Sequence, residues 1–161
     1  MRLKIFLISI AGCFIPNIDN MSKDLKVSRD FIYDGLVYLQ KAGLINSIYS
    51  NGKGTKLVRK PARIYLNNSN MSYAIQGEFK LKADIGAARE TFFANQLAAL
   101  HQVNTSDVGD FLVDDKYLFE IGGSGKTKKQ IKDKGRAYLA IDGIEIGAGI
   151  KIPLYLFGFL Y

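Results

Sequence analysis

The residues best suited to chemistry lie between Asp107 and Asp133, in the stretch DVGDFLVDDKYLFEIGGSGKTKKQIKD. Apolar residues alternate or run together on both sides of Asp114, Asp115 and Lys116. That pattern predicts two short strands and a tight polar turn. A loop over 114–116 sets Val113 opposite Tyr117 and, counting back, Asp110 opposite Glu120. Like charges facing each other destabilise a sheet. A positive partner is therefore expected: a metal ion, a lysine or a helix N-terminus. Upstream, Glu90 shares a helix side with Gly86, Phe93 and Leu97. A carboxylate on a largely apolar side is costly unless it is paired or binds a cation. Glu90 is thus the best-placed partner for Asp110 and Glu120. The plainer alternative pairs it with Arg89 or a lysine at the edge of that side.

After Glu120 the chain passes through Gly122, Gly123 and Gly125 into a basic segment, Lys126 to Lys134, of helix-like character. Gly122-Gly-Ser-Gly-Lys-Thr127 looks like a phosphate-binding P-loop, and Tyr138 to Asp142 imitates its apolar-run-plus-Asp partner. The full motif requires glycine where Glu120 stands, and only about one ~30-residue crossover unit fits in the remaining chain. A second resemblance is stronger. Glu90 on a helix, Asp110 on a strand and Glu120 on its neighbour resemble the core of the PD-(D/E)XK nuclease-like superfamily. That resemblance implies catalytic roles for Glu90, Asp110 and Glu120, with the three carboxylates holding Mg²⁺. The ion suits hard oxygen ligands, activates water and stabilises a phosphoryl transition state. The superfamily lysine belongs two residues after Glu120, where this chain has Gly122; Lys126, with Lys128 and Lys129 as neighbours, is the candidate replacement. The departure bears on catalysis and not on the fold.

Composition bounds the rest. A chain of 161 residues makes one domain or two small ones. Its hydrophobic content of 48% and mean hydropathy near zero (+0.02) fit a folded soluble protein. Net charge +7 and a pI of about 9.4 allow DNA as a partner without requiring it. Cys13 is the only cysteine, which excludes an internal disulfide and a cysteine-based zinc site and fits a reducing, cytoplasmic setting. His101 is the only histidine, which excludes a His-rich metal site; it is expected at a helix end or on the surface. Met1 to Cys13 imitates a short lipoprotein signal, but its apolar part is short and Phe14-Ile15-Pro16 is not a polar tether. A buried first helix over residues 5–12 is the expectation. No stretch is long enough to span a membrane, so no membrane partner is expected.

From Pro16 to Asn68 the pattern is a winged helix-turn-helix. Met21 to Lys26 forms a short helix, Ser28 caps a second one from Arg29 to about Ala42, and Gly43 ends it. Ile32, Leu36 and Leu39 give its core side. Leu44 to Tyr49 is a strand, residues 50–54 a wing, and Lys56 to Leu66 the return. Candidate nucleic-acid contacts are Arg29 and Tyr33 on the helix, with Lys53, Lys56, Arg59, Lys60 and Arg63 on the wing and return strand. Asp30 and Asp34 share the helix side and oppose phosphate. The bland alternative is a winged helix that packs on a neighbour and leaves its basic face to solvent.

Asn67 to Asn70 is polar punctuation and the expected boundary, giving domains over 1–68 and 69–161. Met71 to Ile75 reads as a helical turn and Lys82 to Leu100 as a long helix. Ala137 to Ile141, Ile144 to Ile146 and Ile150 to Tyr161 read as strands, the last one buried.

The order of these units is also similar to the C-terminal half of a bacterial and archaeal family of AAA-type ATPases. The carrying phrases are Ser28-Arg-Asp-Phe-Ile-Tyr33, Tyr38-Leu-Gln-Lys-Ala-Gly-Leu-Ile45, Lys60-Pro-Ala-Arg-Ile-Tyr-Leu-Asn67, Gly86-Ala-Ala-Arg-Glu-Thr-Phe-Phe93 and Val108-Gly-Asp-Phe-Leu-Val113. The resemblance covers nearly the whole chain. It implies an α+β protein, an N-terminal winged helix followed by a small restriction-endonuclease-like α/β domain with a mixed sheet. It also implies that the chain is the non-ATPase part of such a protein, a fragment or a shortened gene product. Its role would be that of a binding or regulatory module that contacts nucleic acid, an ATPase domain or another protein. Mg²⁺-dependent DNA cleavage with a displaced lysine is the alternative, and Gly122 favours the non-enzymatic reading.

Overall fold

The computed structural model describes Gly12 and residues 14–52, 60–131 and 134–160. The expected first helix over 5–12, and Cys13, Lys53, Lys56 and Arg59, lie outside the described residues, Gly12 excepted.

Two helices open the fold, α1 (Ile18–Leu25) and α2 (Arg29–Lys41). The side chain of Asn17 accepts from the N–H of Asn20 to cap α1, and Ser28 accepts from Phe31 N–H to cap α2. Ala42 closes α2, and Gly43 follows at φ 68°, the left-handed conformation that lets the chain turn away from a helix end. An antiparallel pair follows, β1 (Ile45–Ser50) and β2 (Arg63–Leu66), with Ile45 opposite Leu66. Ile18, Ile32, Leu36, Ile45, Ile64 and Leu66 bury one another between these elements.

Asn68 caps α3 (Ser69–Glu78), a full helix where a single turn is expected, and Asp84 caps α4 (Ile85–Ala98). The strands β3 (Val103–Thr105), β4 (Phe111–Val113) and β5 (Tyr117–Gly123) form an antiparallel meander. β6 (Ala137–Asp142) and β7 (Lys151–Pro153) then add in parallel. The polar stretch at 67–70 starts a helix, and the sheet continues across it. β1 pairs in parallel with β3, Tyr49 opposite Asn104 and Ser50 opposite Thr105. One mixed seven-stranded sheet, in the order β2-β1-β3-β4-β5-β6-β7, crosses the 68/69 line. The α+β class follows from this arrangement.

The central core is aromatic. Phe93 of α4 stacks on Phe111 and packs against Phe119 and Phe157, and Ile48 and Tyr65 from the first hairpin join the same cluster. Asn95 of α4 donates to the Leu66 carbonyl and accepts from Asn46, tying the helix to that hairpin. A separate small cluster, Leu118, Ile131, Ala137, Leu139 and Ile141, lies on the other face of β5 and β6.

Three further expected elements differ. Ile144 to Ile146 is a turn and not a strand. After three residues of β7 the C-terminal run becomes a 3-10 helix, Leu154–Phe159. Pro153 has no N–H to extend the ladder, and the turn carries Phe157 into the core while Gly158 lies against the Phe92 ring. The basic segment after Glu120 is built of turns in its described part and not of a helix. Among the described residues β5 therefore lacks the helix that a P-loop would open.

Candidate functional site

The turn at Asp114–Asp115 sets the register. Both residues have positive φ, 52° and 54°, and Lys116 N–H donates to the Val113 carbonyl at 3.0 Å. Val113 consequently faces Tyr117 and Phe111 faces Phe119. One step further, Asp110 N–H donates to the Phe119 carbonyl at 2.9 Å, which sets Asp110 beside Glu120 as the spacing predicts. β4 ends there as a ladder. The Asp110 carboxylate takes the place of the next backbone acceptor and receives Ile121 N–H at 2.7 Å.

Side chains alternate along a strand. Phe119 and Ile121 point to the α4 core, so Glu120 and Gly122 point to the opposite face. Glu120 is 1% exposed. Its expected positive partner is a lysine: Lys126 Nζ sits 2.5 Å from Glu120 Oε1. The amide of Gln130, turned with its nitrogen inward, donates to the same carboxylate. Burial pushes the Glu120 carboxyl above its ordinary value; the Lys126 hydrogen bond pulls it back, and the negative charges of Asp110 and Glu90 add to the push.

Gly122 explains how Lys126 gets there. A Cβ on Gly122 would stand 2.7 Å from both Cβ and Cγ of Lys126 and 2.8 Å from its Cδ. The lysine stem thus occupies the space of a side chain at 122. A bonded turn, Lys126 N–H to the Gly123 carbonyl at 2.9 Å, folds it back. The lysine beside Glu120 thus comes from position 126, through the room that Gly122 leaves.

Glu90 does not join this cluster as a ligand. α4 packs on the other face of the sheet, and Glu90 accepts from the Tyr65 hydroxyl at 2.8 Å and pairs with Arg63 at 3.0 Å. Arg89, one of the partners expected for Glu90, pairs instead with Asp142 at 2.9 Å. Among the described residues no group of three or more Asp, Glu, His or Cys side chains is placed to hold a metal ion. The expected three-carboxylate set thus reduces to Asp110 and Glu120. Two hard carboxylates still fit Mg²⁺, which is often held by one or two of them and keeps several waters.

The candidate nucleic-acid contacts in the amino-terminal half are less concentrated. Arg29 is exposed and pairs with Asp19 at 2.7 Å. Tyr33 packs half-buried against the first core, Lys60 is exposed, and Arg63 is committed to Glu90. Asp30 and Asp34 are exposed on α2. Sequence reasoning missed Gln130, the Arg63–Tyr65 cradle for Glu90 and the Arg89–Asp142 pair. Only Gly122 with Lys126 four residues later carried a readable signal.

No family model, no curated protein and no solved structure matches this chain. Among the described residues no helix is long and apolar enough to cross a membrane.

Proposed function

We propose that this chain is a winged helix joined to a PD-(D/E)XK nuclease-like domain, and that Asp110, Glu120 and Lys126 form a centre for Mg²⁺-dependent cleavage of nucleic acid. The observation that carries the reading is the Lys126 amine on buried Glu120, with its stem lying over Gly122. Gly122 therefore no longer argues against an enzyme. Asp110 and Glu120 would hold the ion, which when bound supplies an activated water and charge neutralisation at phosphorus. Lys126 is placed to hold a phosphate oxygen or to take part in proton movement at that water. Net charge +7 favours a polyanionic substrate. A cytoplasmic setting belongs to the same proposal.

The test is incubation of the purified chain with single- and double-stranded DNA in Mg²⁺ or Mn²⁺. Cleavage is expected, abolished by EDTA and reduced by at least ~100-fold in Glu120→Gln and in Lys126→Ala. No cleavage, or cleavage indifferent to both substitutions, overturns it.

One observation favours a second reading, that of a non-catalytic binding or regulatory module of an AAA-type ATPase. Arg63 and Tyr65 hold the third carboxylate, Glu90, on the far face of the sheet. In that case the winged helix contacts DNA or a protein partner while the nuclease-like cluster stays structural. Gel shifts and pull-downs with the intact chain then replace the cleavage assay.

A further inference from the structure

A second hollow lies one residue from the candidate centre. Glu120 and Gly122 face one side of β5, and Gly123 faces the other. There the Arg89 guanidinium lies flat against it: a Cβ on Gly123 would stand 3.2–3.4 Å from Nη2, Nη1 and Cζ. Arg89 Nε pairs with Asp142 at the end of β6. This pair sits in a pocket of about 250 Å³ whose lining includes Tyr73, Ile85, Phe92 and Tyr155. Drug-sized ligands occupy ~300–1,000 Å³, so this pocket suits one ring system and not an extended molecule. Tyr73 and Tyr155 are 47% and 50% exposed, so their rings are open to a visitor. Tyr155 is also fixed: its hydroxyl donates to the Glu145 carbonyl at 2.9 Å. The Arg89–Asp142 pair brings guanidinium donors and a carboxylate acceptor into the same lining.

We propose that this hollow is a subsite for an unpaired nucleobase of a nucleic-acid strand that crosses the glycine-rich rim at residues 122–125. A planar heterocycle matches it on three counts: aromatic walls to stack on, a donor and acceptor pair to meet its polar edge, and a volume for one ring system. Stacking on protein aromatics takes any base, because every base has a π-face. The proposal sets the strand's neighbouring phosphate toward Lys126, on the other side of β5. The substrate class is therefore single-stranded or locally unpaired nucleic acid. This inference rests on the nuclease-like reading for its substrate, but not for its binding chemistry.

The experiment is fluorescence anisotropy of the full chain with a labelled single-stranded 12-nucleotide DNA in EDTA, beside an abasic strand of equal length. Tyr73→Ala and Tyr155→Ala are the variants, both at exposed positions. Each is expected to weaken binding of the normal strand by about 5- to 150-fold, the equivalent of ~1–3 kcal/mol per stacked base, and to leave the abasic strand unchanged. Equal loss on both strands, unchanged binding in both variants or no strand binding by the wild type overturns the subsite. So does displacement by a free mononucleotide at the strand's own affinity, which assigns the hollow to nucleotides. The two proposals separate cleanly. Tyrosine-dependent binding without Mn²⁺-dependent cleavage keeps the subsite and removes the nuclease. Cleavage indifferent to both tyrosines does the reverse.

Discussion

At the scale of single residues the molecule depends on one balanced charge. Glu120 is buried and Lys126 neutralises it. Removing one partner of a buried pair leaves an uncompensated charge, at a cost of ~3–5 kcal/mol. Lys126 is itself one-third exposed, so the lower end applies. Lys126→Met is expected to lose about 3 kcal/mol at pH 8, or roughly 6–12 °C in Tm. The folded-state pKa of Glu120 is raised, so the folded state holds its proton to higher pH than the unfolded chain. Stability from this group is present at low pH and is lost as pH rises through the folded value. Without Lys126 the rise is larger. The deficit of Lys126→Met should therefore shrink as pH falls toward the ordinary carboxylate range, which melts at pH 5 and pH 8 would show. A pH-independent deficit would mean that the lysine acts by packing alone.

The same pair gives a second prediction. Gly122→Lys alone must displace the Lys126 stem and should destabilise. Lys126→Gly alone strands Glu120 and takes away the Cβ, Cγ and Cδ that a side chain at 122 would meet. Together they return a lysine beside Glu120 and remove the clash, so the double variant should be more stable than the sum of the singles by about 1–3 kcal/mol, as chemical denaturation would measure. Additive losses would show that residues 122 and 126 do not share one space.

Among the elements, the Asp114–Asp115 turn has the most to say. Two adjacent residues with positive φ suit a tight hairpin, and glycine favours the second position. Asp115→Gly should raise stability by about 0.5–1 kcal/mol, seen as a higher urea midpoint at an unchanged m value. Asp114 is a different matter, since it accepts from Gln102 N–H and contacts His101. The hairpin was legible in the sequence because alternation and turn residues are local signals. The same holds for Ser28, Gly43 and the register of Asp110 with Glu120. The position of Glu90 was not. Helix periodicity identified its side, but the face of the sheet that receives α4 depends on Phe93 meeting Phe111, Phe119 and Phe157, contacts remote in sequence. The C-terminal run misled for a similar reason. Its apolar density fits a strand, and only the packing of Phe157 and Gly158 on α4 shows why it coils.

For the whole molecule, the question is whether two units or one should unfold. The polar stretch at 67–70 suggested two. The sheet runs through it, and Tyr65, Ile48 and Arg63 complete the core and cradle of α4. A fragment of residues 69–161 should therefore lack a sharp thermal transition and bind ANS, while the intact chain melts in one step, as circular dichroism would record. Two separated transitions in the intact chain would contradict this. The parallel pairing of β1 with β3 also has a mechanical side. Adjacent strands lie ~4.8 Å apart, so three rungs carry β1 to β5 over roughly 14 Å. A hand on the first hairpin and a hand on Glu120 hold the same plate. A load applied at the amino-terminal half reaches the carboxylates as shear across those rungs, and the Tyr49–Asn104 and Ser50–Thr105 steps are the rivets that must hold.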